Sequence, residues 1–512
     1  MDTDAHHRRW LALAVLALPV LIISMDATIL GFAVPSLSTS LEPSSSQLLW
    51  IIDIYSFVLA GLLVTMGALG DRIGRRRLLM IGSFGFSVAS VMAAFSTGPL
   101  MLIAARAVLG IAGATLMPST LSLIRNVFTD DRERQVAISI WAASFAVGSA
   151  FGPIIGGFML EHFWWGSVFL VGTPVTGALL ILGPRILPES KDPHPERFDA
   201  PSAALSLATM LPIVYAIKLF AEHGASATAG LAAIIGVTAG VAFVTRQRRL
   251  ANPMIDMTLF AVPRFRVAVS GNLLACFGFA GSLFFVTQYL QLVVGMSPMR
   301  AGIQLLPAVV SSITFTMLAP LLSRRVGPFA VISAGLAMGA CGFAMLTQLG
   351  STSSVALTTA AVITINAGLG AAMTVAIDGI LAAIPPERAG AGASVSETAN
   401  ELGIALGTAI LGSIAIAVYR GRLDAVAGLS GAALTDARET LGAATDIADR
   451  LGGVTGDALR VAANSAFVEG LHRATTVAAV LLVAAAGWAL RTHTRTVKTP
   501  VAEPIAAMSS GR

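Results

Sequence analysis

Long apolar runs dominate the chain, separated by short breaks that contain charged residues, glycine or proline. A run of about 20 residues spans the hydrocarbon core of a bilayer as an α-helix, which rises about 1.5 Å per residue. Counting these runs predicts fourteen helices in groups of six, two and six. Their approximate bounds are 10–34, 48–70, 78–96, 99–124, 135–160 and 164–184, then 199–221 and 226–245, then 266–294, 301–322, 328–348, 354–384, 390–419 and 473–491.

This grouping predicts an all-α integral membrane protein of two six-helix bundles plus two extra helices. The bundles occupy 1–184 and 266–491, and 185–265 holds the two inserted linker helices with cytoplasmic loops. The polar stretch 420–472 is predicted to be an extracellular loop within the second bundle, and 492–512 a cytoplasmic tail. Charges in the alanine-rich part of that loop are spaced for an amphipathic surface helix. The loop is either a cap over the outer vestibule or an inert linker.

Basic residues are distributed unevenly among the loops. When both termini are placed in the cytoplasm, the short outer loops hold only Lys218 and Arg300, and the short inner loops hold many arginines. Because lysine and arginine in short loops stay on the cytoplasmic side, this asymmetry predicts two cytoplasmic termini and an even number of helices. The net charge is +5, but the basic residues are spread over many short loops and do not form one basic patch. We therefore expect no nucleic-acid partner.

The composition excludes several classes of protein. With 55% hydrophobic and 12% charged residues, the chain is too apolar for a soluble domain. Its two cysteines, Cys276 and Cys341, both lie inside apolar runs, so neither a disulfide framework nor a cysteine metal site is predicted. The sequence contains no metal-binding cluster, nucleophile with its base, or P-loop. We therefore expect no enzymatic activity, no catalytic residues and no metal. We also expect the protein to be monomeric.

One charged stretch, Gly67–Arg77, joins the second and third predicted helices. Its arginines hold the turn on the cytoplasmic side, and its glycines let the backbone turn and the helices approach. Its sequence, G-A-L-G-D-R-I-G-R-R-R, resembles the loop motif G-x-L-[GA]-D-R-x-G-R-[RK] of the major facilitator superfamily. We expect Asp71 to latch the inner face closed, because its carboxylate can lie at the positive N-terminus of a neighbouring helix or pair with a nearby arginine. The candidate gating residues are Gly67, Gly70, Asp71, Arg72, Gly74 and Arg75.

A weaker copy of this stretch lies at the corresponding place in the second bundle. It spans Leu321–Gly327 and has Arg324 in place of the aspartate. An internal repeat of this kind is typical of facilitators that expose a midplane site to each side in turn. Chance similarity of a short segment is the alternative.

Few ionisable side chains lie inside the predicted helices, where each costs about 2.5–3.5 kcal/mol at the helix centre. Asp26 and Asp53 are expected in the outer half of the membrane. Glu397 and Glu401 are four residues apart and therefore share one helix face at mid-depth. The acids outnumber the single arginine, which suits a cationic ligand or a titrating proton. The full set is Asp26, Asp53, Arg106, Asp378, Glu397 and Glu401, of which Asp378 lies near a helix end, where a structural role is favoured.

The fifth predicted helix contains G-S-A-F-G-P-I-I-G-G, in which glycines repeat every four positions. Small residues at this spacing permit close helix contact, and the proline removes a backbone hydrogen bond. The stretch resembles the antiporter motif of drug–proton exchangers. The segment Ala105–Ala114 is similar to the motif whose arginine is tied to proton transfer in that group, so Arg106 has this role or pairs with Asp26 or Asp53. The candidate antiporter-motif residues are Gly148, Gly152, Pro153, Gly156 and Gly157.

The resemblance extends along the whole chain. The segments W-I-I-D-I-Y-S, M-P-S-T-L-S-L-I-R, P-E-S-K and N-P-M-I-D are similar to those of fourteen-helix drug–proton antiporters of the QacA and LfrA type. The resemblance implies a multi-pass protein of the bacterial cell membrane that exports lipophilic cations, such as quaternary ammonium compounds, ethidium-like dyes and cationic antibiotics. The proton is then the coupling ion, and no other cofactor is expected. One departure is Ser311 and Ser312 in the tenth helix, where some relatives have an acid.

The sequence leaves two classes of exported compound open. It is a lipophilic cation, or it is an endogenous metabolite or lipid precursor with drugs as accidental cargo. A cation pocket would use aromatic faces and thioethers, although such residues more often serve packing. The candidates for that pocket are Met25, Trp50, Tyr55, Phe284, Phe285 and Tyr289.

Overall fold

The structure is a computed structural model that describes residues 3–191, 199–250, 253–350, 355–383, 389–423 and 432–498. Within these residues, fourteen helical segments are long and apolar enough to cross a membrane, which confirms the predicted number. The predicted tail beyond 498, and the predicted inner-loop residues Arg197 and Arg388, lie outside the described part of the chain.

The first half contains six spans, because the short α6 and α7 together form one span. Its helices are α1 (Thr3–Leu41), α2 (Ser45–Ile73), α3 (Arg75–Ala94), α4 (Pro99–Val127), α5 (Asp131–His162), α6 (Ser167–Leu170) and α7 (Thr173–Ile186). The two linker helices are α8 (Ala200–His223) and α9 (Ala227–Arg249).

The second half also contains six spans, two of which include a π-helical segment. Its helices are α10 (Pro263–Gln288, continued by the π-segment Tyr289–Val293), α11 (Pro298–Gln304), α12 (Leu306–Val326), α13 (Pro328–Leu346), α14 (Val355–Ala382), α15 (Ala389–Leu406, continued by the π-segment Gly407–Leu411), α16 (Gly412–Arg422), α17 (Ala432–Ala437), α18 (Leu441–Leu451) and α19 (Gly453–Lys498).

Each half has its own apolar core. Buried side chains such as Leu16, Phe86 and Leu109 pack together in the first half. Phe343 and Leu482 belong to a separate core in the second half. The halves meet along a seam at which α2 packs on α15 and α1 packs on α10. A site formed at this seam changes whenever one half moves relative to the other.

Two glycines occupy equivalent turns in the two halves. Gly74 joins α2 to α3 with φ +112°, and Gly327 joins α12 to α13 with φ +87°. Both values lie in a region that residues with a Cβ rarely adopt. The shared backbone conformation supports the internal repeat between Gly67–Arg77 and Leu321–Gly327.

The last spanning helix begins earlier than the apolar pattern predicts, at Gly453 instead of 473. Buried residues recur at helical spacing through this added part, at Leu459, Ala463 and Ala466. The polar segment 420–472 is therefore largely helical where the structure describes it. The apolar pattern missed these turns because charged residues such as Asp457, Arg460 and Glu469 interrupt it.

The helices α17 and α18 cover the end of the molecule that the loop charges predict to be the outer one. On the first half, the amide of Ser45 donates to Glu439 Oε2 at 2.8 Å, and Gly442 lies against Ser38. On the second half, the Tyr419 hydroxyl donates to the carbonyl of Ala437 at 2.9 Å. The segment is therefore docked on both halves, and its role as a cap stays a prediction.

Candidate functional site

Arg106 and Asp26 form a buried ion pair within the first half. Arg106 Nη1 lies 2.5 Å from Asp26 Oδ2, and the two side chains are 2% and 12% exposed. Arg106 Nε also donates to the carbonyl of Ile51 at 3.2 Å, so α4 is bound to both α1 and α2. Of the two acids predicted as partners of Arg106, the structure selects Asp26.

Asp53 has a basic partner that the sequence analysis placed elsewhere. Lys218 is inside α8 rather than in an outer loop, and its Nζ lies 2.9 Å from Asp53 Oδ2. Both residues are buried. The prediction of a single intramembrane base is therefore wrong, because Lys218 is a second one. Its signal was available in the sequence, because Lys218 falls inside the predicted apolar run 199–221.

Glu397 and Glu401 lie on α15, where the second half meets α2. Glu401 is buried and faces the Ser56 hydroxyl. Asn400 Nδ2 donates to Glu397 Oε2 at 3.2 Å. In the described part of the chain, Glu397 Oε1 and Glu401 Oε2 have no hydrogen-bond partner. The two acids are close enough to Tyr55 on α2 to interact with it electrostatically.

These groups form one electrostatic cluster across the seam. Glu401 interacts with Asp26 and Arg106 of the first half as well as with Glu397. Asp26 and Asp53 each form an ion pair with a base, whereas among the described residues no ion pair joins Glu397 or Glu401 to a basic side chain. Asp378, in contrast, is exposed on α14, and its structural role stays a prediction.

Two of the aromatic rings predicted for a cation pocket already face a base of the protein. The Arg106 guanidinium carbon lies 4.7 Å from the centroid of the Tyr55 ring. Lys218 Nζ lies 4.0 Å from the centroid of the Trp50 ring. These rings therefore stabilise the two internal bases in this structure.

The other pocket candidates occupy different surroundings. Phe284 lies near the seam, beside Gly412 of α16. Phe285 and Tyr289 are fully buried in the core of the second half, and the Tyr289 hydroxyl donates to the carbonyl of Gly350 at 3.0 Å. Met25 is buried in the core of the first half. The structure thus brings only part of the predicted pocket together, because sequence spacing does not reveal which helix face meets the seam.

The two serines of the tenth span pack against α14. The Ser311 hydroxyl donates to the carbonyl of Ile363 at 3.1 Å. Ser312 Oγ lies 3.0 Å from the position that a Cβ at Gly370 would occupy. An acid at either position would therefore meet α14.

The turn between α2 and α3 is held within the first half. Asp71 Oδ1 accepts from Arg75 Nε at 2.7 Å, so its partner is an arginine of the same turn. The amide of Arg76 donates to Glu189 Oε1 at 3.0 Å, and Glu189 lies against Gly74. Arg72 is exposed. Glu189 was not among the predicted gating residues, because it follows α7 and reaches the turn only through tertiary packing.

Gly70 and Gly67 differ in how closely their neighbours approach. A Cβ at Gly70 would lie 2.9 Å from Arg75 Cδ, whereas one at Gly67 would meet only Pro118 Cβ at 3.8 Å. Side chains of the turn therefore approach Gly70 closely, whereas no neighbour approaches Gly67 to the same extent.

The glycines of α5 form a close seam with α1. A Cβ at Gly148 would lie 2.0 Å from Ser24 Oγ, one at Gly152 would lie 2.0 Å from Thr28 Oγ1, and Gly156 faces Ile29. This is the tight helix contact that the four-residue spacing predicts.

The end of the same motif crosses to the second half. A Cβ at Gly157 would lie 2.7 Å from Met299 Cα, and one at Gly302 would lie 2.6 Å from the carbonyl oxygen of Pro153. The antiporter-motif residues therefore join α5 to α1 and also to α11.

A cavity of about 460 Å³ lies away from this cluster, between the end of α13 and α19. Its lining includes Glu469, His472 and Arg473. The charges of the cluster at the seam, rather than this cavity, are the better guide to the functional site.

Two six-helix halves with acids buried at their seam define a secondary membrane transporter. Comparison with known proteins gives the family. The chain belongs to the Major Facilitator Superfamily, whose profile matches residues 16–408. Together with the fourteen spans, these comparisons make it a multi-pass protein of the bacterial plasma membrane.

Three similar proteins illustrate the relationship. The multidrug efflux pump LfrA of Mycolicibacterium smegmatis is 48% identical over 94% of this chain and 95% of its own. The methyl viologen resistance protein SmvA of Salmonella typhimurium is 35% identical over 90% of this chain and 93% of its own. A solved bacterial homologue of the human lysosomal transporter Spinster, inward-facing and unoccupied, has a TM-score of 0.67 at 19% identity, covering 96% of this chain and 99% of that one. The last similarity concerns the fold alone.

Proposed function

We propose that the protein exports lipophilic cations from the cell in exchange for protons. The observation that carries this proposal is the pair Glu397 and Glu401 at the seam, of which Glu401 is buried and Glu397 half-buried, and which form no ion pair with a base among the described residues. A buried carboxylate is costly unless it holds a proton or a cation. A proton and a cationic substrate therefore compete for the same acids, which is the requirement for exchange.

The position of the acids supports alternating access. Glu401 belongs to the second half and faces Ser56 and Tyr55 of the first half. Movement of one half against the other then exposes the acids to each side in turn. The names of the two sequence relatives, a multidrug efflux pump and a methyl viologen resistance protein, support a drug-like cargo.

The proton gradient is sufficient as a driving force. When one proton is exchanged for one monovalent cation, one positive charge moves in each direction, so the membrane potential does no net work. A pH difference of one unit then supplies about 1.4 kcal/mol, which sustains a roughly tenfold concentration ratio of the cation.

The test is ethidium transport in proteoliposomes with an imposed pH gradient. We expect the gradient alone to drive ethidium uphill, a protonophore to abolish this transport, and added ATP to have no effect without the gradient. Ethidium movement that persists with the gradient dissipated would contradict proton exchange. An exporter of uncharged or anionic metabolites would show no ethidium transport in any condition.

The role of the acids is tested by Glu401→Gln. This variant is expected to lose both ethidium transport and ethidium-induced proton release, because the amide cannot exchange a proton. Asp378→Asn is the matched control, since it neutralises an exposed acid of α14 away from the seam. Unchanged proton release in the Glu401→Gln protein would assign the exchange to another acid.

A further inference from the structure

A lysine of the first linker helix is joined to an acid of the first half. The side chains of Lys218 on α8 and Asp53 on α2 are 1% and 0% exposed, and their charged atoms lie 2.9 Å apart. The face of the Trp50 ring, one turn before Asp53, lies against the same ammonium group. A carboxylate and a ring face together provide the surroundings that a buried ammonium group requires.

The packing of α8 places this pair beside the seam. A Cβ at Gly61 of α2 would lie 2.5 Å from Leu207 Cδ2 of α8, so the two helices are in close contact. One turn beyond Asp53, a buried cluster contains Phe57 of α2 and Val214 of α8 together with Ala405 and Ala409 of the second half. The linker helix α8 therefore reaches both halves on the side where Glu401 lies.

The pair decides how much charge the site offers to a substrate. Asp26 is neutralised by Arg106. If Asp53 were free, it would give the site a second negative centre on the first half, opposite Glu397 and Glu401. With Lys218 bound to it, the remaining negative charge is confined to one face of α15.

We propose that Lys218 is a specificity-determining residue, which neutralises Asp53 and thereby makes the site favour cations with one charge over dications. A dication needs two separated acids, and a fixed internal ammonium group occupies one of them. This inference rests on the proposed export of cations. It assigns a functional role to a linker helix, in addition to the two six-helix halves.

The test compares a monocation, ethidium, with a dication, methyl viologen, in proteoliposomes. The measured quantity is the ratio of kcat/KM for methyl viologen to that for ethidium. Lys218→Met leaves Asp53 uncompensated, and we expect the ratio to rise about tenfold or more. Asp53→Asn leaves Lys218 uncompensated, and we expect the ratio to fall.

The double variant Lys218→Met/Asp53→Asn provides the decisive comparison. It contains no uncompensated charge and nearly the same side-chain volume, so its ratio is expected to return to within about twofold of the unaltered protein. Phe220→Leu, which changes a 62% exposed residue of α8, is the matched control and should leave the ratio unchanged.

A purely structural pair gives a different result. It would lower transport of both cations in proportion, with the same ratio in both single variants, and that outcome would overturn the inference. Failure of both single variants to fold, while the double variant folds, would also show that the pair is only a structural tie.

Failure of the proposed function is recognised separately. If the unaltered protein transports neither cation under a pH gradient, the proposal of cation export is wrong. The proposed role of Lys218 is then wrong as well, because it depends on cation export. If ethidium is transported but the ratio does not respond to either charge, only the role of Lys218 is wrong.

Discussion

Arg106 and Asp26 stabilise each other at the residue scale, and this makes each of them sensitive to loss of the other. Removing one partner of a buried ion pair costs about 3–5 kcal/mol, because the remaining charge is left without compensation. We expect Asp26→Asn to lower the melting temperature of the detergent-solubilised protein and to abolish transport. Adding Arg106→Gln should restore much of the stability but no transport. A double variant as unstable as Asp26→Asn alone would show that the charge of Arg106 is not the cause.

Asp199 lies outside the membrane-spanning segments, and its ionisation is expected to make the stability of the protein depend on pH. Burial raises the pKa of this carboxyl, but hydrogen bonds from Ser202 and Arg246 outweigh that effect, and the pKa is lowered overall. Arg246 Nη2 lies 2.8 Å from Asp199 Oδ1, which joins α9 to the start of α8. An acid with a lowered native pKa stabilises the fold above its unfolded pKa of about 3.9, and the contribution is lost as pH falls through the native value.

We therefore expect Asp199→Asn to melt at a lower temperature than the unaltered protein at pH 7. The difference should shrink as the pH falls below about 4, and melting curves between pH 7 and pH 3 measure it. A difference that is constant across this range would mean that the charge of Asp199 does not contribute.

At the scale of elements, the contact between α5 and α1 depends on the absence of two side chains. A Cβ at Gly152 meets mainly the Thr28 hydroxyl, whereas a Cβ at Gly148 also lies 2.4 Å from the backbone carbonyl oxygen of Leu21. A second substitution can remove a clashing side-chain hydroxyl, but no substitution removes a backbone carbonyl. We expect Gly152→Ala to cost about 1–3 kcal/mol and to be rescued by Thr28→Ala, and Gly148→Ala not to be rescued by Ser24→Ala.

Melting temperature and ethidium transport are the measurements for these glycine variants. Gly177→Ala is the matched control, because no atom lies within 4 Å of the position that its Cβ would occupy. Equal rescue at Gly148 and Gly152 would mean that the helices separate easily and that the close contact is not required.

The turn between α2 and α3 is the second element whose role can be measured. Asp71 holds Arg75, and Arg75 Nη1 reaches the carbonyl oxygen of Pro118 on α4 at 3.4 Å. Loss of this tie should affect movement of the helices rather than the distant acids. We expect Asp71→Asn to slow ethidium turnover several-fold while the equilibrium affinity for ethidium is retained. If affinity falls as much as turnover, Asp71 does not act on conformational switching.

At the scale of the whole molecule, orientation in the membrane is open to direct labelling. Ser40, at the end of α1, and Arg77, at the start of α3, are both exposed and belong to opposite ends of the first half. In a background that lacks Cys276 and Cys341, Ser40→Cys should react with an impermeant maleimide in intact cells. Arg77→Cys should react only after permeabilisation. The opposite pattern would reverse the predicted topology.

The sequence by itself determined the properties that depend on local composition. Hydrophobic length set the number of spans, and loop charge predicted their orientation, because a bilayer responds to each segment almost independently of the others. The spacing of Gly148, Gly152 and Gly156 predicted a close helix contact, since the period of one helix is a local property. The resemblance in the turn at Gly67–Arg77 indicated the family that the comparisons confirmed.

Only the tertiary structure decided which side chains meet. It paired Arg106 with Asp26 and joined Lys218 of the linker to Asp53, and it gave Glu397 and Glu401 no ion pair with a base among the described residues. Periodicity gives the faces of one helix but not its neighbours or its rotation in the bundle. The partners of these charges lie on helices that are far apart in sequence, so their pairing depends on how the whole molecule packs.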